Sequence, residues 1–260
     1  MKIITVGNQK GGAGKTTTAL NLILGLQKKH RRVLAIDMDG QCNLSYLLGV
    51  EEQILSESDE NIYSILRGKK DAASCILHTE MHVDLIPASP ALYEADMTIN
   101  KVGKEYRLKK ALESISEYEY VIIDTPPNLG IVTVNAFTAS NRVIIPVQAD
   151  ILSLVGLNQL EETLKAVQEY TNSDLHIDGI LITRYNSRTR LSQDFRSAIE
   201  QQATQIGTQV FQSEIRESVT IKEAQVSKQS LYDYAGKSKV AMDYMKFVDE
   251  VEEIQNYGKI

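Results

Sequence analysis

Residues 10 to 17 read "KGGAGKTT": two lysines, three glycines and two threonines in eight positions. Glycines let backbone N–H groups close around a phosphate, and a helix that starts there points its positive end at the same anion. Gly11, Gly12, Ala13 and Gly14 supply that backbone. Lys15 can reach β- and γ-phosphates, the Thr16 hydroxyl can hold Mg²⁺, and Thr17 adds a second hydroxyl. The plain pattern G-x-x-x-x-G-K-[ST] fails, because Gln9 stands where its first glycine belongs. A variant with a lysine at position 10 fits instead. One phosphate loop needs one lysine, so Lys10 asks for a separate role.

Two acidic segments complete the set. "YVIIDTPP" ends an apolar run with Asp124, where a carboxylate can hold the water shell of Mg²⁺ beside a phosphate loop. "AIDMDGQCNLS" offers Asp37 and Asp39, two residues apart and so on one side of an extended chain. One of the pair can orient an attacking water while the other supports Mg²⁺ or the loop.

These residues need a scaffold, and the chain provides it in alternation. The runs 2–7, 32–37, 83–88, 120–125, 142–148 and 178–185 are almost wholly apolar, as strands of a parallel sheet covered on both faces are. Helical stretches lie between them at 15–29, 104–117, 155–170 and 192–206, with a C-terminal helix near 236–255 in a last segment 236–260. The expected fold is α/β, a doubly wound, mostly parallel sheet with helices on both faces. The polar stretch 51–80 reads as an irregular helical insertion. The 260 residues suit one domain, with no repeat or Pro/Gly linker to divide them.

Composition excludes other classes. Net charge is −6, so any nucleic-acid surface must be local. Cys42 and Cys75 match no metal or redox spacing. No signal peptide is visible, and no apolar run reaches the roughly 18 residues of a membrane helix. Between 182 and 240 nine Lys/Arg stand against six Asp/Glu, a basic excess inside an acidic chain.

"KGGAGKTTTALNL", "DMDGQCNLS", "YVIIDTPPNLG", "VIIPVQAD" followed by "GLNQL", and "ITRYNSRTRLS" together resemble the ParA/MinD family of deviant Walker A ATPases, most closely the small Soj-type ParA partition proteins. The resemblance covers almost the whole chain. It implies a P-loop ATPase with ATP and Mg²⁺ as cofactors, cytoplasmic and nucleoid-associated. Lys10, Lys15 and Asp39 are the implied catalytic residues. Residues 10–17 bind phosphate, and Thr16, Asp37 and Asp124 serve the metal. In the family the signature lysine, here Lys10, reaches the partner's nucleotide in a sandwich homodimer, and Gly11 sits where backbones approach closely. Asp39 positions the hydrolytic water, with Asp37 as its support. The proline usual after the second Asp is replaced by Gly40. Adenine contacts align with Arg216 and Ser218, neither matching the family's residues, and "TRYN" (183–186) resembles the base-side loop of the MinD branch.

Arg188 matches a family arginine used for non-specific DNA binding. A second aligns with Thr220, leaving Lys222 or Arg216 as its replacement. The implied function is DNA partition, with a ParB-like centromere-binding partner that stimulates hydrolysis. The rival is a ParA-like switch that positions a secretion, conjugation or cell-surface machine without DNA. The last twenty residues carry two Lys/Arg and five Asp/Glu, against a basic membrane-binding helix of MinD type. The chain also begins at its first strand, so specific operator binding through an N-terminal extension is not expected.

Overall fold

Apolar runs become the strands at the centre of the fold. The computed structural model describes residues 1–51 and 58–257. Eight strands form one sheet: β1 (Lys2–Val6), β2 (Val33–Asp37), β3 (Leu77–His78), β4 (Asp84–Ile86), β5 (Tyr120–Asp124), β6 (Arg142–Gln148), β7 (His176–Tyr185) and β8 (Val210–Arg216). Their order is β3-β4-β2-β5-β1-β6-β7-β8. Every pairing is parallel except β3 with β4.

The helices are α1 (Lys15–Lys28), α2 (Asn43–Leu47), α3 (Ile62–Leu66), α4 (Ala95–Thr98), α5 (Arg107–Leu112), α6 (Ile131–Ala139), α7 (Ile151–Tyr170), α8 (Arg190–Gln205), α9 (Val219–Val226), α10 (Leu231–Ala235) and α11 (Lys239–Tyr257). Side chains of a strand alternate between faces, and the core divides accordingly. Val143, Ile145 and Val147 of β6 pack with Leu157, Leu160 and Leu164 of α7 and Ile199 of α8. Ile144, between them, joins the other core with α1 and α11. Helices therefore cover both faces, as a doubly wound sheet requires.

The sequence expectations miss two strands. β3 is only a two-residue edge piece. β8, "VFQSEIR", is the opposite edge, and its half-solvated residues mix polar with apolar side chains. The expected helix 104–117 is shorter: a 3₁₀ turn at Lys104–Tyr106 leads into α5. Within the expected insertion 51–80, α3, a 3₁₀ turn at Ala73–Cys75 and β3 are present, while 52–57 lie outside the described residues, as do 258–260 of the C-terminal segment.

Gly25 sets how closely α1 meets its neighbours. A Cβ there would stand 2.6 Å from Val248 Cγ2 and 2.9 Å from the Tyr232 hydroxyl, which donates to the Asn21 carbonyl at 2.8 Å. Alanine gains helix propensity in exposed helices, but overpacking a core costs about 1–3 kcal/mol. Gly25→Ala should therefore lower the thermal midpoint, by roughly 2–4 °C per kcal/mol in a chain of this size. A melt followed by circular dichroism checks this; a raised midpoint would contradict the close packing.

Candidate nucleotide site

Parallel register brings the chemistry to one line. β1 ends at Val6, β2 at Asp37 and β5 at Asp124, and both Val6 and Asp37 lie level with Asp124. The phosphate loop and both acidic segments thus leave the sheet side by side at its C-terminal edge, where ligands of open α/β sheets bind.

The loop is held from its far side. Thr183 Oγ1 donates to the Ala13 carbonyl at 2.9 Å, and Gln148 Nε2 to the Gly12 carbonyl at 2.6 Å. Gly12 and Gly14 are left-handed, with φ of 75° and 92°, a conformation that other residues adopt at a cost. Gly14 is the N-cap of α1 and no side chain caps that end, so the first N–H groups of the helix remain open toward an anion.

Lys15 is buried, and its ammonium donates to the Lys10 carbonyl at 3.2 Å. Burial pushes its pKa down, while Asp124 and Asp39 pull it back up. Asp124 is fully buried, and neither carboxylate oxygen has a hydrogen-bond partner. Burial raises its pKa well above the usual range, and the charge of Asp37 adds to this. The nearby Thr16 hydroxyl, outside hydrogen-bond geometry, and Lys15 temper the shift. A buried carboxylate without a donor is a costly arrangement. Hydrated Mg²⁺ would satisfy it, so the residues present fit the ion: Asp124 and the Thr16 hydroxyl would hold it.

Asp37 and Asp39 divide the work anticipated for them. Asp37 Oδ2 accepts from Ser45 N at 2.8 Å and Ser45 Oγ at 2.7 Å, and Oδ1 from Asp39 N at 3.1 Å. Both oxygens accept from the loop, which makes Asp37 its anchor. Burial lifts its pKa to about 6 against those hydrogen bonds. Asp39 reaches the cleft itself, lining a cavity of about 210 Å³ with Gly12, Lys15, Thr16 and Arg184. Gly40 packs under the Tyr93 ring, 3.2 Å from the position of a Cβ.

Lys10 does not point at its own phosphate cavity. Its ammonium pairs with Asp150 and lies 3.5 Å from Ser153 Oγ. Asp150 also caps α7 by accepting from Ser153 N at 2.9 Å. Burial would raise the Asp150 carboxyl, but the hydrogen bonds from Lys10 and Ser153 outweigh it and hold the group below its ordinary value.

A second cavity of about 160 Å³ adjoins the first through Gly14, Thr17 and Arg184. Ile215, Ile221 and Tyr244 give it apolar walls suited to a base, and Arg216, Ser218 and Lys222 also line it. The Arg216 guanidinium is bound to Asp243 through two hydrogen bonds of 2.5 and 2.8 Å. Ser218 caps α9 by accepting from Thr220 N at 3.3 Å. Arg216 and Lys222, anticipated at a DNA surface, are exposed and also line the rim of this cleft. Arg188 does face solvent, in the turn between β7 and α8, with Arg190 beside it.

Asp150 and Gln148 lie in "VIIPVQAD" and Thr183 opens "TRYN", but the sequence gives them no individual role, because only the fold brings them to the loop. Arg184 had a signal: it lies inside "TRYN", and its φ of 50° marks a residue held in an unusual conformation.

A model of an AAA domain family matches residues 1–177. The chain is 38% identical to the sporulation initiation inhibitor protein Soj of Bacillus subtilis, over 96% of this chain and 98% of Soj. It is 35% identical to the chromosome partitioning protein ParA of Myxococcus xanthus, over 94% and 85% of the two chains. Its fold superimposes with a TM-score of 0.85 on cobyrinic acid a,c-diamide synthase of Mycobacterium smegmatis, solved with ADP and magnesium. That pair is 31% identical over 100% of this chain and 97% of the other.

The raised carboxyl of Asp124 has a measurable consequence. A cation binds the charged form, so loading Mg²⁺ with ADP should expel a fraction of a proton, and apparent affinity should climb with pH. Calorimetry in two buffers of different ionisation enthalpy reads the release. Asp124→Asn should lose that share of it; equal release by both proteins would show that Asp124 is already charged.

Proposed function

Because the chain belongs to the ParA/MinD family of P-loop ATPases, in its Soj/ParA branch, we propose that it hydrolyses ATP as a nucleotide-controlled DNA partition switch. The observation that carries this reading is the convergence of Lys15, Thr16, Asp39 and the unpartnered Asp124 beside a cavity of base-like character.

In this reading ATP lies with its base between Ile221 and Tyr244 and its phosphates in the loop of residues 10–17. Lys15 and the open N–H groups of α1 neutralise the β- and γ-phosphates. Thr16 and Asp124 would hold Mg²⁺, which would supply further charge neutralisation. Asp39 orients a water on the γ-phosphorus. The bond to the bridging oxygen breaks, and ADP and phosphate leave.

Lys10 acts across a homodimer. Two features of the single chain support a partner at this face. Nothing within the chain calls for glycine at 11: its φ is not left-handed, and a Cβ would meet nothing within 4 Å. Ile151, Leu152 and Val155, at the start of α7 beside the Lys10–Asp150 pair, are largely exposed apolar side chains. For Lys10 to reach a partner's phosphate it must leave Asp150. A charged phosphate offers the stronger hydrogen-bond acceptor, so nucleotide in the partner draws the lysine across.

The ATP-dimer then binds DNA without sequence readout through Arg188 and Arg190, at the nucleoid, until a ParB-like centromere-binding protein triggers hydrolysis. Two copies of a modest basic turn on one rigid body bind better than either alone.

Lys15→Ala should weaken ADP and ATP binding at least tenfold, about 1.4 kcal/mol. Asp39→Ala should bind ATP but accumulate as a dimer, while Lys10→Ala should fail to form one. Light scattering with ATP separates the two, and two monomeric variants would refute the division of roles.

DNA binding should appear with ATP and be absent with ADP. It should be indifferent to sequence and fade as salt rises through counterion release. A mobility-shift assay on two unrelated duplexes tests this. Arg188→Ala should weaken the shift and leave ATP-driven dimerisation intact. Equal binding in every nucleotide state, or none in any, moves the assignment to a switch that does not use DNA.

A further inference from the structure

Beside α3 and α5, on the β3–β4 side of the sheet and away from the β7–β8 edge that carries Arg188, the chain has a second concave cationic site. A cavity of about 250 Å³ is lined by Arg67, Lys69, Lys101 and Arg107, over an apolar floor of Leu66 and Ile99. No acidic side chain among the described residues lines it. Among the described residues, none of the four cations forms an ion pair. In the basic segment 182–240, by comparison, three of the nine cations are paired: Arg196 with Glu200 and Glu214, Arg216 with Asp243, and Lys228 with Glu51.

The site is built, not merely crowded. Gly68, left-handed with φ of 71°, closes α3: its N–H donates to Ile65 O at 2.8 Å and that of Lys69 to Ser64 O at 2.9 Å. This locked turn aims residues 67 and 69 at the cavity. The Arg107 guanidinium rests on it, 3.0 Å from the position of a Gly68 Cβ. Arg67 lies over the Tyr63 ring at 5.5 Å, and the Tyr63 hydroxyl donates to Thr98 Oγ1 at 3.0 Å. Like charges gathered without a counter-charge repel one another, and a phosphate group, with its several acceptor oxygens, answers guanidinium and ammonium donors together. The concave shape and apolar floor favour a small phosphate-bearing anion with an organic part over the convex backbone of a duplex.

The cavity wall is also tied to the nucleotide site. Residues 98–101 continue the segment in which Asp96 Oδ1 accepts from Ile131 N at 2.7 Å, just beyond the loop that follows Asp124. A Cβ at Gly130 would collide with that same carboxylate at 2.5 Å. Tyr93, in the same segment, packs on Gly40 beside Asp39. One segment therefore touches both acidic loops and ends in the cationic cavity.

We propose that this cavity is a second phosphate site, distinct from the nucleotide cleft, which takes a small phosphate-bearing anion and transmits its occupancy to the loops of Asp39 and Asp124. The transmission rests on the hydrolytic reading above; the site itself does not.

Inorganic pyrophosphate is the probe. It is titrated calorimetrically into full-length Lys15→Ala protein without nucleotide or Mg²⁺, which disables the phosphate loop. One site per chain is expected, weakened roughly tenfold or more by adding Arg107→Ala or Lys101→Ala. No binding, or binding indifferent to both changes, overturns the site. A failure of the phosphate-loop assignment is seen separately, as undiminished ADP binding by Lys15→Ala. Displacement of the probe by a short DNA duplex at equal phosphate concentration would assign the cavity to nucleic acid and overturn the small-anion reading. In the wild-type protein, at fixed free Mg²⁺, pyrophosphate should change the rate of ATP hydrolysis by about twofold more than in Arg107→Ala. Equal responses would overturn the transmission and leave the site standing.

Discussion

A buried carboxylate that no donor among the described residues satisfies is the constraint around which this structure is arranged. Asp124 ends the strand between β1 and β2, fully enclosed, with both oxygens unpartnered. Such a group costs several kcal/mol in isolation. It is tolerated because Lys15 and the Thr16 hydroxyl stand beside it and because its pKa rises in their incomplete company. The parallel register that puts Val6 and Asp37 level with it is the same register that delivers the phosphate loop. Moving β5 by one residue would turn Asp124 to the other face of the sheet, and the lysine would lose the anion that opposes its desolvation.

The sequence is legible where one local rule decides. Central strands are buried on both faces, so apolarity alone marks them, and the phosphate loop is a contiguous run of special residues. Legibility fails where environment decides. β8 is half-solvated and reads as polar. α6, "IVTVNAFTA", is rich in β-branched residues that favour strands, yet it is a helix because it is buried between the sheet and its neighbours. At the site, Asp37 and Asp39 look equivalent along the chain. Only the position of Ser45, eight residues later, commits one to the loop by both oxygens and leaves the other accepting, among the described residues, from Gln41 N alone.

Lys10 shows the same limit more sharply. Its place at the loop is visible in eight residues, but its partner lies 140 positions away at the cap of α7. That pairing gives the lysine a resting place outside its own phosphate cavity. Its ammonium and the Asp150 carboxylate are each partly exposed, at 18% and 36%, so the pair is worth little by itself. It can therefore hold the lysine in one position without preventing its exchange for a more highly charged acceptor. A fully buried pair would have been too costly to break.

Charge in this protein is decided by pairing, not by count. The segment 182–240 has the larger basic excess in sequence, but Arg196, Arg216 and Lys228 are spent on carboxylates and Arg184 and Lys222 face the nucleotide cleft. What remains for an external anion is the exposed turn at Arg188 and Arg190, together with Lys237 and Lys239, exposed at the start of α11. Four cations beside α3 and α5 form no ion pair among the described residues and line a concave cavity. A weak convex patch gains strength by duplication on a dimer, and a concave cluster binds within one chain. The two surfaces are thus suited to different ligands, an extended polyanion for the first and a compact one for the second, although the net charge of −6 foretells neither.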